Sequence, residues 1–117
     1  MVGAVDVDEK SRTERIRELN DSLRTTFEGG KVLVTRGVDA SPYKDQIVEA
    51  VRTYDFSKAD PGDDPYGERD FGMIEIKSER FYWKVDYYDA NYEYHSPDET
   101  DPKVTRRVLT IMRADEY

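Results

Sequence analysis

Residues 80–88 read Arg-Phe-Tyr-Trp-Lys-Val-Asp-Tyr-Tyr, and their side chains alternate between two sets. The odd positions form the more apolar set: Phe81, Trp83, Val85 and Tyr87. The even positions form the more polar set: Tyr82, Lys84, Asp86 and Tyr88. Because successive side chains of a β-strand point to opposite faces, this alternation predicts a strand whose odd positions face the core.

The neighbouring segments predict the rest of a sheet. Residues 71–77 form a second strand-like run, joined to the first around Ser78-Glu79 as a hairpin. Residues 31–36 are apolar and β-branched and predict a further strand. The closing run 104–112 favours a strand by composition, although Val104, Val108 and Ile111 also suit a helix.

Two helices are predicted before the hairpin. The first spans residues 11–27, because Ser11 and Glu14 form a capping-box pattern. Its apolar stripe consists of Ile16, Leu19, Leu23 and Phe27. Glu28-Gly29-Gly30 is expected to end it, with glycine in the left-handed conformation. The second helix spans residues 42–54, since Ser41-Pro42 is a typical helix start.

These elements predict an α+β fold, a mainly antiparallel sheet of about four strands with two helices packed on one face. Residues 1–10 are expected to be a flexible N-terminal segment, and residues 11–117 a single α+β domain.

Composition narrows the class of protein. The 117 residues carry a formal charge of −8 and are 38% charged, 37% hydrophobic and 12% aromatic. Direct nucleic-acid binding is not expected, because it requires a basic footprint. The chain has no cysteine, so disulfides and thiolate chemistry are excluded. No signal-peptide pattern or membrane-spanning run is present, which favours a cytoplasmic protein.

The run Asp64-Pro65-Tyr66-Gly67-Glu68-Arg69-Asp70-Phe71-Gly72 is the strongest indication of a site. Its first four residues have turn chemistry, whereas the next three form either a local ion network or a presented surface. A second acidic segment, which runs from Asp86 to Asp101, is rich in tyrosine. We call it the second acidic loop. The predicted binding surface combines residues from both segments: Asp64, Tyr66, Glu68, Arg69, Asp70, Asp86, Tyr88 and Asp89.

Three separated motifs resemble those of one family: residues 64–72, residues 81–89 (Phe-Tyr-Trp-Lys-Val-Asp-Tyr-Tyr-Asp) and residues 107–112 (Arg-Val-Leu-Thr-Ile-Met). Over residues 13–117 the chain is similar to an uncharacterised bacterial domain-of-unknown-function family, found largely in alphaproteobacteria and often on plasmids and mobile elements. That family commonly has histidine at the position of Arg69, so the departure weakens a shared histidine-based catalytic role. The resemblance implies an intracellular protein, and by analogy a role in regulation or in countering host defence.

Two classes of function follow from the residues. The preferred hypothesis is an acidic protein-interaction or regulatory module that binds a basic partner, in one version as a nucleic-acid-mimicking inhibitor. The alternative is a small carboxylate-based or metal-assisted enzyme, with Glu68, Asp70 or Asp86 as acid or base and Arg36 or Arg69 positioning an anion. No cofactor or metal site is predicted, no catalytic residue is assigned, and the sequence leaves a homodimer open.

Overall fold

A computed structural model describes residues 11–117 of the chain. The predicted flexible segment 1–10 lies outside the described residues. The described part contains three α-helices and four strands: α1 (Arg12–Thr26), β1 (Lys31–Val34), α2 (Arg36–Asp39), α3 (Lys44–Arg52), β2 (Phe71–Ile76), β3 (Glu79–Tyr88) and β4 (Arg106–Arg113). Three short 3-10 turns complete it: Phe56–Lys58, Pro61–Asp63 and Ala114–Glu116.

The strands form one sheet in the order β1-β4-β3-β2. β2 pairs with β3 and β3 with β4 in antiparallel fashion, whereas β1 pairs with β4 in parallel. The sheet is therefore mixed, and the expectation of a mainly antiparallel sheet missed its parallel pair. Local alternation specifies a strand but not its partner, and α2, α3, β2 and β3 lie between these two strands along the chain.

The first helix begins as predicted, since the Ser11 side chain accepts a hydrogen bond of 3.1 Å from the Glu14 amide. The helix ends within one residue of its predicted span and Gly29 has a positive φ, but the residue directly after the helix differs from the prediction. Phe27, and not a glycine, takes the left-handed conformation directly after the helix, with φ of 61°. The Phe27 ring packs against the core and under the guanidinium of Arg52, 5.4 Å from its centroid. These contacts offset a backbone conformation that costs a non-glycine residue about 1 kcal/mol.

The strand predicted over residues 31–36 is shorter, because a one-turn helix follows it. β1 ends at Val34, and α2 begins at Arg36. The carboxylate of Glu116 accepts hydrogen bonds from the Thr35 hydroxyl at 2.6 Å and the Gly37 amide at 2.9 Å. This long-range cap satisfies the start of α2, and no local pattern predicts it.

The hairpin and the last strand agree with the sequence more closely. β2 and β3 are joined by Lys77 and Ser78, both with positive φ, which is one residue earlier than expected. The ambiguous closing run is a strand, β4. Helix α3 is shorter than its predicted span of 42–54.

The predicted core face of β3 is buried. Phe81, Trp83 and Val85 are at most 4% exposed, and Tyr87 is 9% exposed. They belong to one cluster with buried residues of the helices and of β4: Ile16, Leu23, Val38, Ile47, Val51, Leu109 and Ile111. Gly72 pairs with Trp83, and a Cβ there would lie 2.3 Å from the indole nitrogen, so only glycine fits.

Among the described residues, no helix combines the length and the apolar character needed to cross a bilayer.

Candidate functional site

The second face of the sheet carries two neighbouring surface depressions. We call this face the open face, and the strand register and alternation assign it these side chains: Lys31, Leu33, Phe71, Met73, Glu75, Arg80, Tyr82, Lys84, Asp86, Tyr88, Arg106, Val108, Thr110 and Met112. The lining of its first depression includes residues from β1, β3 and β4 but none from an α-helix. The first depression has a volume of about 540 Å³.

The first depression is mainly apolar and aromatic. Val108 and Met112 are buried in its floor, whereas Leu33 is 49% exposed. Four residues from outside the strands also line it: Thr35, Tyr92, Glu116 and Tyr117. Such a surface can bury apolar groups of a partner without rearranging the core.

A second depression of about 380 Å³ adjoins the first and is more acidic. Its carboxylates are Asp63, Asp70 and Asp86, and its aromatic side chains are Tyr66, Phe71 and Tyr117. Lys84, Asp86 and Tyr117 line both depressions, so the two are neighbours, and we call them together the groove.

Four open-face side chains form a straight row beneath this groove. Leu33 pairs with Thr110, Thr110 with Lys84, and Lys84 with Phe71. The row therefore crosses all four strands, from the apolar end of the groove at β1 to the acidic end at β2.

Tyr117 packs against aromatic side chains of the open face. The Tyr117 ring lies 5.3 Å from that of Tyr82 and 6.1 Å from that of Phe71, centroid to centroid. Nearby, Lys31 Nζ lies 4.2 Å from the Tyr92 ring centroid. Tyr117 nevertheless remains 74% exposed and thus available to a partner.

The charges of the groove are unevenly compensated. Lys84 Nζ lies 3.3 Å from Asp86 Oδ2, so the one lysine of the second depression is already paired. Burial raises the pKa of Asp70 above its ordinary value, and the neighbouring charge of Glu68 raises it further. The acidic end therefore holds carboxylate charge that the described residues compensate incompletely, which favours a cationic ligand group.

Four of the eight predicted surface residues lie along this groove. Tyr66 and Asp70 line the second depression, Tyr88 lines the first, and Asp86 lines both. The structure thus brings together residues from two segments that the sequence joined only by inference.

The other four predicted residues make local or internal contacts. Asp64 accepts a hydrogen bond from the Arg69 amide at 3.1 Å, and Asp89 accepts bonds from the Asn91 and Glu93 amides. These backbone bonds lower the pKa of Asp89. Both aspartates therefore stabilise turns, and for Asp64 this agrees with the turn chemistry predicted from the sequence.

Arg69 and Glu68 contact α1 and the core. Arg69 donates a hydrogen bond of 2.9 Å to Asp21 and lies over the Phe56 ring. Glu68 accepts hydrogen bonds from the Tyr87 hydroxyl, through Oε1, and from the Asn20 side chain, through its backbone oxygen. Within the run from Asp64 to Asp70, some side chains fasten the loop to α1, whereas Tyr66 and Asp70 line the groove.

Comparison with family models gives one finding. A model described as "Protein of unknown function (DUF3768)" matches residues 34–116, more than half of the chain. The chain belongs to this family. The expected resemblance to an uncharacterised family is thereby confirmed, whereas its bacterial distribution and mobile-element context stay predictions. Searches among curated proteins and among solved structures give no match.

The family match covers β2, β3, β4 and the loops that contribute to the two depressions, but only the last residue of β1 and none of α1. It therefore spans the predicted site residues and most of the open face, with Lys31 and Leu33 outside it. The family's description assigns no activity to any of them.

A buried polar network connects α1 to the segment covered by the family match. Asn20, fully buried, donates to the Tyr87 hydroxyl at 2.7 Å and accepts from Arg107 Nε at 3.0 Å. Arg107 also donates to the backbone oxygen of Glu99. Burial lowers the pKa of Arg107 and raises that of Tyr87. The network fixes the two loops relative to the sheet.

Sequence reasoning missed Asn20 because it assigned Leu19 to the helical stripe. Asn20 lies four residues after Ile16 and three before Leu23, which is the spacing of a buried position. Sequence reasoning also missed Leu33 and Tyr117 as groove residues. The sequence indicates Leu33 only weakly, because an apolar residue in a short strand does not show which face of the sheet the helices cover.

No three His, Cys, Asp or Glu side chains within residues 11–117 are arranged to hold a metal ion. His95 lies 2.7 Å from Glu99 Oε1, and Glu99 Oε2 also accepts from Arg12 at 2.8 Å. These contacts link the second acidic loop to the start of α1.

Proposed function

We propose that this protein is a small protein-interaction module whose open face binds a partner with a basic surface. One observation carries the proposal: the face has a groove of two neighbouring depressions with exposed apolar and aromatic side chains, including Leu33 and Tyr117. Exposed apolar area rimmed by polar groups is typical of protein-binding surfaces.

The charge of the groove supports a basic partner. Asp63, Asp70 and Asp86 line the second depression against a single lysine. The whole chain is also acidic, with a formal charge of −8. Complementary charge would steer a basic protein to this face and raise the association rate.

The test is affinity capture from a nuclease-treated bacterial lysate with three forms of the chain. The groove variant carries Asp70→Asn and Asp86→Asn. A charge-matched control carries Asp45→Asn and Glu49→Gln on α3, where both residues are exposed. We expect a partner that the wild type and the control retain, that the groove variant loses, and that salt releases.

The site of contact is then mapped with the purified partner. Amide NMR shifts should concentrate at β1, β3 and the 64–70 loop. Partners bound equally by all three forms, or shifts confined to the helices, would contradict the proposal. A binding partner that proves to be a second copy of the chain would replace the basic partner with a homodimer.

Nucleic-acid mimicry is the narrower version of this proposal. In it, the spaced carboxylates occupy the phosphate-binding groove of a nucleic-acid-handling protein. A duplex DNA or RNA competitor should then displace the module from its partner. Simultaneous binding of both would remove mimicry and leave the interaction module.

Asp70 favours a second candidate, a carboxylate-based enzyme. Its pKa is raised by burial, and Asp86 lines the same depression, so the pair has features of an acid–base site. A hydrolase substrate panel tests this candidate with Asp70→Asn against Asp45→Asn. If no substrate is turned over, or if Asp70→Asn does not reduce turnover, Asp70 does not catalyse these reactions.

A further inference from the structure

We propose that the ligand of the groove is an extended protein segment with one apolar and one cationic side chain, about four residues apart. The apolar side chain occupies the first depression, and a lysine or arginine occupies the second. This inference rests on the proposed function and specifies the partner's chemistry.

The spacing follows from the row beneath the groove. Leu33, Thr110, Lys84 and Phe71 lie on four adjacent strands in direct register. Neighbouring strands are about 4.8 Å apart, so the row spans about 14 Å. An extended chain advances about 3.3 Å per residue, and four residues therefore cover that distance.

The apolar end is defined by the first depression. Leu33 offers exposed apolar surface, and Val108 and Met112 form a floor beside it. A leucine-sized side chain would bury this apolar surface, and the leucine itself carries no charge.

The cationic end is defined by shape and charge together. The second depression combines aromatic side chains with the carboxylates of Asp63 and Asp70, neither of which has an ion pair among the contacts of the described residues. A guanidinium or ammonium group would gain both charge compensation and a contact with an aromatic face.

The middle of the groove sets the direction of the segment. Lys84 occupies the row between the two ends and lines both depressions. The first depression balances two lysines against two carboxylates, whereas the second sets one lysine against three carboxylates, so a cation is favoured in the second depression. The segment therefore has one favoured polarity of side chains: apolar toward β1 and cationic toward β2.

The test uses a series of acetylated, amidated Gly/Ser peptides that carry one leucine and one arginine, separated by one to six positions. Binding to the full chain is measured by NMR titration up to millimolar peptide. We expect the affinity to peak at a separation of about four. It should exceed that of the leucine-only and arginine-only peptides by about tenfold, or 1.4 kcal/mol.

Two variants and one control locate the effect. Leu33→Ser should abolish the increase in peptide affinity that leucine provides. Asp70→Asn should reduce the increase in affinity that arginine provides several-fold. Asp45→Asn on α3 should change neither. Circular dichroism and the fluorescence of the buried Trp83 confirm that each variant is folded.

The outcomes separate this inference from the proposed function. Three results would overturn the proposed segment with one apolar and one cationic side chain. These are peptides that do not bind detectably, an affinity that is independent of the separation, and an affinity that Asp45→Asn reduces as much as Asp70→Asn does. If lysate capture still finds a partner that depends on Asp70 and Asp86, the interaction module stands and only its ligand is wrong. If that partner is also absent, both fail.

Discussion

The two faces of β3 share one backbone but differ sharply in burial. On the covered face, Phe81 and Trp83 are 1% and 0% exposed. On the open face, the side chains of Lys84 and Asp86 retain 41% and 36% of their accessible surface. The side chains of the covered face are buried in the core, whereas apolar and charged side chains of the open face stay accessible to a partner. The comparison indicates that stability and recognition can be altered separately.

The largest expected effect lies on the covered face. Trp83→Ala removes the largest fully buried side chain and should lower the free energy of unfolding by about 3–5 kcal/mol. Urea denaturation measures the loss. Tyr88→Ala on the open face of the same strand is the control and should cost about 1 kcal/mol or less. Equal losses would show that the two faces do not differ as described.

The buried network should give the second-largest effect. Asn20→Ala leaves the Tyr87 hydroxyl without its closer partner and Arg107 Nε without its acceptor. A loss of about 2–3 kcal/mol in urea denaturation is expected, because unsatisfied buried polar groups retain their desolvation cost. Asn91→Ala in the exposed loop should change stability by less than about 0.5 kcal/mol. A loss no larger than this control would contradict a structural role for the network.

Asp70→Asn should have a smaller effect of the opposite sign. Because the folded state raises the pKa of Asp70, ionised Asp70 destabilises the folded chain near neutral pH. Asparagine should therefore stabilise it, by less than about 1 kcal/mol after solvent screening. The gain should shrink as pH falls through the raised pKa and vanish below the ordinary value of 3.8. Thermal melts from pH 7 to pH 3 test this, and a gain that grows with acidity would contradict it.

The smallest effect on stability is expected at Leu33. Leu33 is 49% exposed, so Leu33→Ser should change the free energy of unfolding by at most about 0.5 kcal/mol. The same substitution should weaken partner binding measurably. If it instead destabilises the chain as Trp83→Ala does, Leu33 belongs to the core and the open face is not a binding surface.

The sequence predicted the local elements well. Ser11 and Glu14 gave the start of α1, and the alternation of residues 81–88 gave the buried face of β3. It also selected Tyr66, Asp70, Asp86 and Tyr88, which line the groove. The predictions for α1 and β3 succeeded because capping and alternation depend on residues within a few positions of one another, whereas binding by the four groove residues stays a prediction.

The division of the 64–70 loop was not predictable in the same way. Asp64, Glu68 and Arg69 looked as suited to a surface as Tyr66 and Asp70. Their contacts with distant Asp21, Asn20 and Tyr87, and with the loop backbone, separate the two groups. Such contacts require α1 and β3 to be in place first.

By itself, the sequence determined an acidic α+β chain with a helix, a hairpin and a strand of defined inner face. Only the tertiary structure decided that β1 joins β4 in parallel, that Phe27 ends α1, and that Leu33 and Asp70 lie at opposite ends of one groove. The physical reason is range. Periodicity and capping act over one or two turns of chain, whereas strand partnership and surface grooves depend on how distant segments pack together.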